Sequence, residues 1–219
     1  MPSTLTLDKI LIVEGADEER FFRQLLKHLA ITDVQIVKIE GKDNLFVKLR
    51  TLMADDGFDR VTSMGVVRDA DHSAASSFQS VADIFARLGL AIPKKPGDFA
   101  NKARKKVGVF IMPGGSASGM LEDLCLATVG DHPVSRHVQD FFSALTGTLS
   151  RRDPVDAPMQ EGTYYFPKNE AKARVQAFLA GMHETVCGVG RGAECGFWNL
   201  DHASLVELKE FLRRLRLPV

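Results

Sequence analysis

KILIVE at residues 9–14, closed by Gly15, is a short apolar run rich in β-branched side chains. Such a run, with no polar alternation, is the pattern of a strand buried on both faces, as in a parallel sheet. The period then changes. Phe21, Phe22, Leu25, Leu26 and Leu29 recur at three- and four-residue intervals, which predicts a helix over about 18–30 with Asp17 placed to cap it.

The alternation repeats downstream. VQIVKI at 34–39 reads as a second strand, and Leu45, Phe46, Leu49, Leu52 and Met53 mark a helix over about 44–54. VTSMGVVR at 61–68 is a third strand, ending at Asp69-Ala70-Asp71, with a helix of about 76–88 behind it. VGVFIM at 107–112 is a fourth, stopped by Pro113, Gly114 and Gly115 and followed by a helix over about 118–129. Strands and helices in this order imply right-handed crossovers between parallel neighbours. The expected fold of residues 1–130 is therefore α/β, a parallel sheet of about four strands flanked by helices.

From 131 to 219 the texture is helical. Val134, Val138, Phe141, Phe142 and Leu145 mark one stripe, Ala171, Val175, Phe178 and Leu179 a second, and Leu205, Leu208, Phe211, Leu212 and Leu215 a third. Residues 150–168 read as a loop and 183–201, with Gly188, Gly190, Gly192 and Gly196, as irregular chain anchored by Trp198. This extension is expected to pack on the sheet within the same globular unit, because no flexible linker divides the two.

At 219 residues, 45% apolar and 26% charged, the chain has ordinary globular composition and needs no staple to bury a core. Lys plus Arg (28) equal Asp plus Glu (28), so a nucleic-acid contact requires a local patch or a bridging metal. The cysteines, Cys125, Cys187 and Cys195, suggest reduced thiols. The first residues lack a basic leader, and no apolar run approaches the ~20 residues that span a bilayer. A cytoplasmic protein with no membrane partner is expected.

In an open α/β sheet, function gathers at the carboxyl ends of the strands, and acids stand there in this sequence. Glu14 ends the first strand, Asp17 lies just beyond it, Asp69 and Asp71 end the third, and Glu122 and Asp123 open the helix after the fourth. Carboxylates of this kind suit a hard cation such as Mg²⁺. In an extended Asp-x-Asp the two side chains point the same way, so Asp69 and Asp71 are placed to share one ion. Each acid also has a plainer reading. Asp17 and Asp71 suit helix caps or turns, and Glu122 and Asp123 suit a helix N-terminus.

LIVEGADEERFF followed by VVRDAD resembles the Toprim domain shared by topoisomerases, bacterial primases, small ribonucleases and the overcoming-lysogenization-defect (OLD) nucleases. Its pattern is a strand ending in Glu-Gly and a later strand ending in Asp-x-Asp, matched by Glu14-Gly15 and Asp69-Ala70-Asp71. IMPGGSASGMLEDL and FWNLDHASLVELKEFLRRL resemble a Toprim-related family catalogued only as a domain of unknown function, close to the OLD type. The resemblance implies a general acid or base, or metal, role for Glu14 and Mg²⁺ or Mn²⁺ held by Asp69 and Asp71. Glu122 and Asp17 become candidates for further metal contact. His72 and Ser73 stand where many Toprim domains carry another Asp.

The reaction implied is metal-dependent phosphodiester hydrolysis of DNA or RNA. A covalent route would need Tyr164 or Tyr165, the two tyrosines of the chain, so hydrolysis is preferred. The alternatives are a non-catalytic nucleic-acid or nucleotide-binding module and a subunit of a defence or repair assembly with an ATPase partner in trans. For substrate phosphate, KKPGDFANKARKK at 94–106 offers Lys102, Arg104 and Lys105, against a plainer reading as a solvated loop. The loop at 114–119 offers Gly115 and Ser116 as an anion cradle, against a plain turn. His183, Cys187, Cys195 and His202 lack the spacing of a zinc knuckle.

Overall fold

A computed structural model of the chain describes residues 5–150 and 164–218. Five strands form one sheet: β1 (Lys9–Val13), β2 (Gln35–Lys38), β3 (Ser63–Asp69), β4 (Phe99–Lys102) and β5 (Lys105–Met112). Their order is β2-β1-β3-β5-β4, and every pairing is parallel except β4 with β5. The helices are α1 (Ala16–His28), α2 (Leu45–Met53), α3 (Ala74–Arg87), α4 (Leu121–Ala127), α5 (Pro133–Thr148), α6 (Glu170–Ala180), α7 (Val189–Glu194) and α8 (Val206–Arg216).

The four parallel strands are the ones expected from their apolar runs. Ile10 and Ile12 face one core while Leu11 and Val13 face the other, and all are buried. One core lies under α2 and α3; the other joins α1 to the C-terminal helices. A strand covered on both faces has no polar side, which is why its sequence shows no alternation.

β4 corrects the reading of 94–106 as loop and adds an antiparallel edge strand to the four parallel ones. Phe99–Lys102 folds back on Lys105–Met112 as an antiparallel edge hairpin. Its turn holds Ala103 at φ 49° and Arg104 at φ 63°. Positive φ at both central residues is the two-residue turn that matches strand twist, ordinarily signalled by Asn or Gly. Neither stands here, so the hairpin is silent in the sequence.

The C-terminal helix docks into a trough cut by glycine. A Cβ on Gly65 would lie 3.2 Å from the Phe211 ring, and one on Gly108 would lie 2.4 Å from the Phe99 ring. Phe99 and Phe211 stack with centroids 4.8 Å apart, and Leu205, Leu208, Leu212 and Leu215 are also fully buried. At about 1.5–3 kcal/mol for each fully buried large side chain, this face binds the extension to the sheet.

The irregular stretch at 183–201 contains α7, which packs on α1. Its glycines permit close approach: a Cβ on Gly190 would lie 2.8 Å from the Asp17 carbonyl oxygen, and one on Gly192 would lie 2.9 Å from the Trp198 ring. Trp198 is buried and donates its indole N–H to the Val189 carbonyl at 2.8 Å. The greater part of the loop expected at 150–168, residues 151–163, lies outside the described residues.

Candidate functional site

β1, β3 and β5 run parallel and in register, with Ile12 opposite Val66 and Asp69 opposite Met112. Their carboxyl ends therefore open on one edge. Glu14 follows the last residue of β1, Asp69 closes β3, and the loop after β5 leads to Glu122 in the first turn of α4. The sequence placed these acids at one edge, and that is where they stand.

Asp69 is the most constrained of them. Its Oδ1 accepts the Leu121 backbone N–H at 3.0 Å. Burial, reinforced by the charges of Glu18, Glu122 and Glu14, pushes its carboxyl up to about 8 against that single hydrogen bond. Burial likewise raises Glu14, with Arg68 and Lys42 opposing and Glu18 and Asp71 adding to the rise. Glu122 is raised by burial, with Lys172 opposing; Lys172 Nζ stands 3.9 Å from its Oε1.

Glu18 is the carboxylate that sequence reasoning missed. Its charge acts on Asp69, Glu14 and Glu122 alike. The signal available was its place in the first turn of the helix that leaves β1, four residues beyond Glu14. Lys42, Arg68 and Lys172 were missed for want of any local signal.

Asp71 departs from expectation. β3 ends at Asp69, and Asp71 adopts φ 50°, so the pair is not extended and the alternation argument for a shared direction does not apply. Reciprocal backbone hydrogen bonds with Gly119, each 2.9 Å, hold Asp71 in this left-handed turn. Its Oδ2 accepts from Lys42 Nζ at 2.9 Å. Ser73, not Asp71, caps α3 by accepting the Ser76 N–H.

Asp17 does not cap α1; Gly15 occupies that position with no side-chain bond. Asp17 Oδ1 instead accepts the Gly190 N–H at 3.1 Å, tying α1 to α7. Its charge is still felt by Glu122.

The basic stretch stands elsewhere. Lys105 begins β5, and the eight residues of that strand carry the chain to Met112 beside Asp69, a span of ~23 Å at normal strand rise. Lys105 Nζ donates to the carbonyls of Phe58 and Val61 at 2.7 and 2.8 Å, and Lys102 Nζ donates to that of Gly89 at 2.8 Å. Arg104 is exposed at the hairpin tip. The structure does not bring Lys102, Arg104 and Lys105 to the acids.

Gly115 and Ser116 do lie at the acid edge and are exposed. The Gly115 N–H already has an anion, the chain's own Glu207 carboxylate at 2.9 Å. At the start of α4 the Leu121 N–H serves Asp69 and the Met120 N–H serves Asp123 at 2.9 Å. Internal carboxylates thus already occupy the backbone N–H groups of Gly115, Met120 and Leu121 around the cradle expected for substrate phosphate.

Among the described residues no three His, Cys, Asp or Glu side chains stand close enough to hold one ion. The donor set at this edge is nonetheless all oxygen, the chemistry a hard divalent cation takes. No described helix is long and apolar enough to cross a membrane.

A family model described as "Protein of unknown function (DUF3226)" matches residues 8–217. No curated protein matches the chain. Among solved structures, the C-terminal region of the Xanthomonas campestris pv. campestris OLD protein is similar, with a TM-score of 0.48 and 12% identity over 96% of each chain.

Proposed function

The chain belongs to the DUF3226 family, and for it we propose a divalent-metal-dependent phosphodiesterase of Toprim type acting on nucleic acid. What supports this reading is the placement of Glu14, Asp69 and Glu122, from three separate segments, at one edge of the sheet, where the charges of Glu14 and Glu122 both act on Asp69. The Glu-Gly and Asp-x-Asp pattern at those same strand ends supports it.

Asp69, Asp71 and Glu122 would hold Mg²⁺ or Mn²⁺, with Glu18 contributing charge; because no three described acids stand within reach of one ion, their side chains would have to close on it. Such a cation supplies a Lewis acid for the phosphoryl oxygens and an acidified water. Glu14 takes the proton-transfer role. Its carboxyl is raised by burial, and a proton carrier works best with an affinity near the working pH. Lys42 is engaged with Asp71 at 2.9 Å. Ion binding at Asp71 would have to displace it.

That ion pair favours a second reading. A cation already supplied by Lys42 suits a binding module that has kept the frame without the chemistry.

Calorimetric titration with Mn²⁺, followed by a cleavage panel on DNA and RNA, tests the first reading. Expected are Mn²⁺ binding weakened at least tenfold in Asp69→Asn, and Mn²⁺-dependent cleavage abolished in Glu14→Gln while Mn²⁺ still binds. Wild-type protein that binds no Mn²⁺ would sink the proposal. Binding without cleavage would leave the binding module standing.

A further inference from the structure

The face of the sheet opposite the C-terminal helices carries an open cleft of about 750 Å³ between α2 and α3. Lys42, Arg68 and Arg87 line it, together with Ser76 and Ser80 one helical turn apart on α3. Two acids, Asp43 and Asp83, stand beside them, and Asp83 accepts a hydrogen bond from the Gln79 amide at 2.7 Å. The cleft reaches the carboxylate edge through two of its own residues. Lys42 also bonds Asp71, and Arg68 precedes Asp69 on β3 and acts electrostatically on Glu14.

Arg68 is the anomaly. It is 7% exposed, and its Nε is buried with no hydrogen-bond partner. Burying a guanidinium with an unpaired donor costs free energy. Arg87, at the outer rim, is exposed but held: its guanidinium lies over the Phe46 ring at 4.0 Å, and a guanidinium stacked on its face keeps its edge N–H groups available for an anion.

We propose that this cleft is an anion subsite that seats a backbone phosphate of a polynucleotide strand leading into the carboxylate edge. A buried guanidinium, a second one stacked at the rim, an ammonium and hydroxyl groups match phosphate oxygens. A cleft of this volume exceeds the needs of one phosphate, and its continuity with the acids gives the strand a direction. The subsite rests on the function proposed above and deepens it by assigning where a phosphate of the strand sits, but its binding requires no metal.

The test is fluorescence anisotropy in EDTA with a labelled single strand of about 12 nucleotides, as oligothymidylate and as oligouridylate. Binding of either strand by wild type is expected, about tenfold weaker in Arg87→Glu and in Arg68→Gln and within twofold of wild type in Arg104→Glu at the far end of the sheet. The slope of log affinity against log salt should fall by about one in Arg68→Gln. Arg87 is exposed, so its variant keeps the test valid if Arg68→Gln fails to fold. The subsite is overturned if wild type binds neither strand, if Arg87→Glu binds within twofold of wild type, or if Arg104→Glu carries the loss. Displacement of the strand by thymidine monophosphate at equal phosphate concentration would overturn the strand in favour of a monoester site. Binding with no cleavage under Mn²⁺ would defeat the proposed hydrolysis alone, whereas cleavage with unaltered binding in the Arg87 and Arg68 variants would defeat the subsite alone.

Discussion

Asp69 Oδ1 receives the backbone N–H of Leu121 at 3.0 Å, joining the end of β3 to the beginning of α4 across 52 residues of sequence. That bond sets Asp69 against the start of α4, where Glu122, the next residue, adds its charge to that of Glu14 and Glu18. The bond also partly compensates a carboxyl that is otherwise surrounded by negative charge.

Stability should fall as pH rises through this carboxyl's range. Asp69 titrates near its ordinary 3.8 when unfolded and is pushed up to about 8 when folded. Between those limits the native state holds more protons than the unfolded one, so its contribution is full below about 4 and is lost through about 8. Asp69→Asn keeps the acceptor for Leu121 and removes the titration. Its melting temperature should match wild type near pH 4 and exceed it by several degrees near pH 8.5, at about 2–4 °C per kcal/mol. Equal melting curves at both pH values would refute the assignment.

Lys42→Met should leave stability within ~1 kcal/mol, since a half-exposed ion pair contributes little. Freed of its ammonium, Asp71 should bind Mn²⁺ more tightly, by about threefold or more. Unchanged Mn²⁺ affinity in calorimetry would remove Asp71 from the ligand set.

Asp17→Ala should act on the fold. Losing the acceptor for the Gly190 N–H is expected to cost about 1–2 kcal/mol and to loosen α7, visible as faster amide exchange there. Mn²⁺ affinity should stay within about twofold of wild type. A tenfold loss would return Asp17 to the metal-holding residues.

Gly108→Ala tests the trough beneath α8. A methyl group 2.4 Å from the Phe99 ring has to displace it from its stack on Phe211, with an expected cost of about 1–3 kcal/mol. Denaturant unfolding measures it, and a neutral result would mean that the edge hairpin yields freely.

The family model over residues 8–217 is no guide to which of these residues act, so the weight falls on what the chain itself reveals. Glu14 and Asp69 were legible because each ends a run of side chains buried on both faces, and such a run announces its own end. Asp71 was legible as an acid but not in conformation. The left-handed turn that redirects it is fixed by Gly119, far along the chain. Lys102 and Lys105 looked like free cations because nothing local shows that the carbonyls of Gly89, Phe58 and Val61 lie within reach of them.

The sequence by itself determined the parallel strands, the helices between them and the edge on which the acids would lie. Burial of apolar side chains repeats with the local period of strand or helix, so short windows carry it. The tertiary structure alone decided that Glu18 joins the cluster, that Lys42 and Lys172 stand against its outer acids, and that Arg68 opens beneath α3. Charges meet according to which loops and helices the sheet order brings together, and no nearest-neighbour pattern records that.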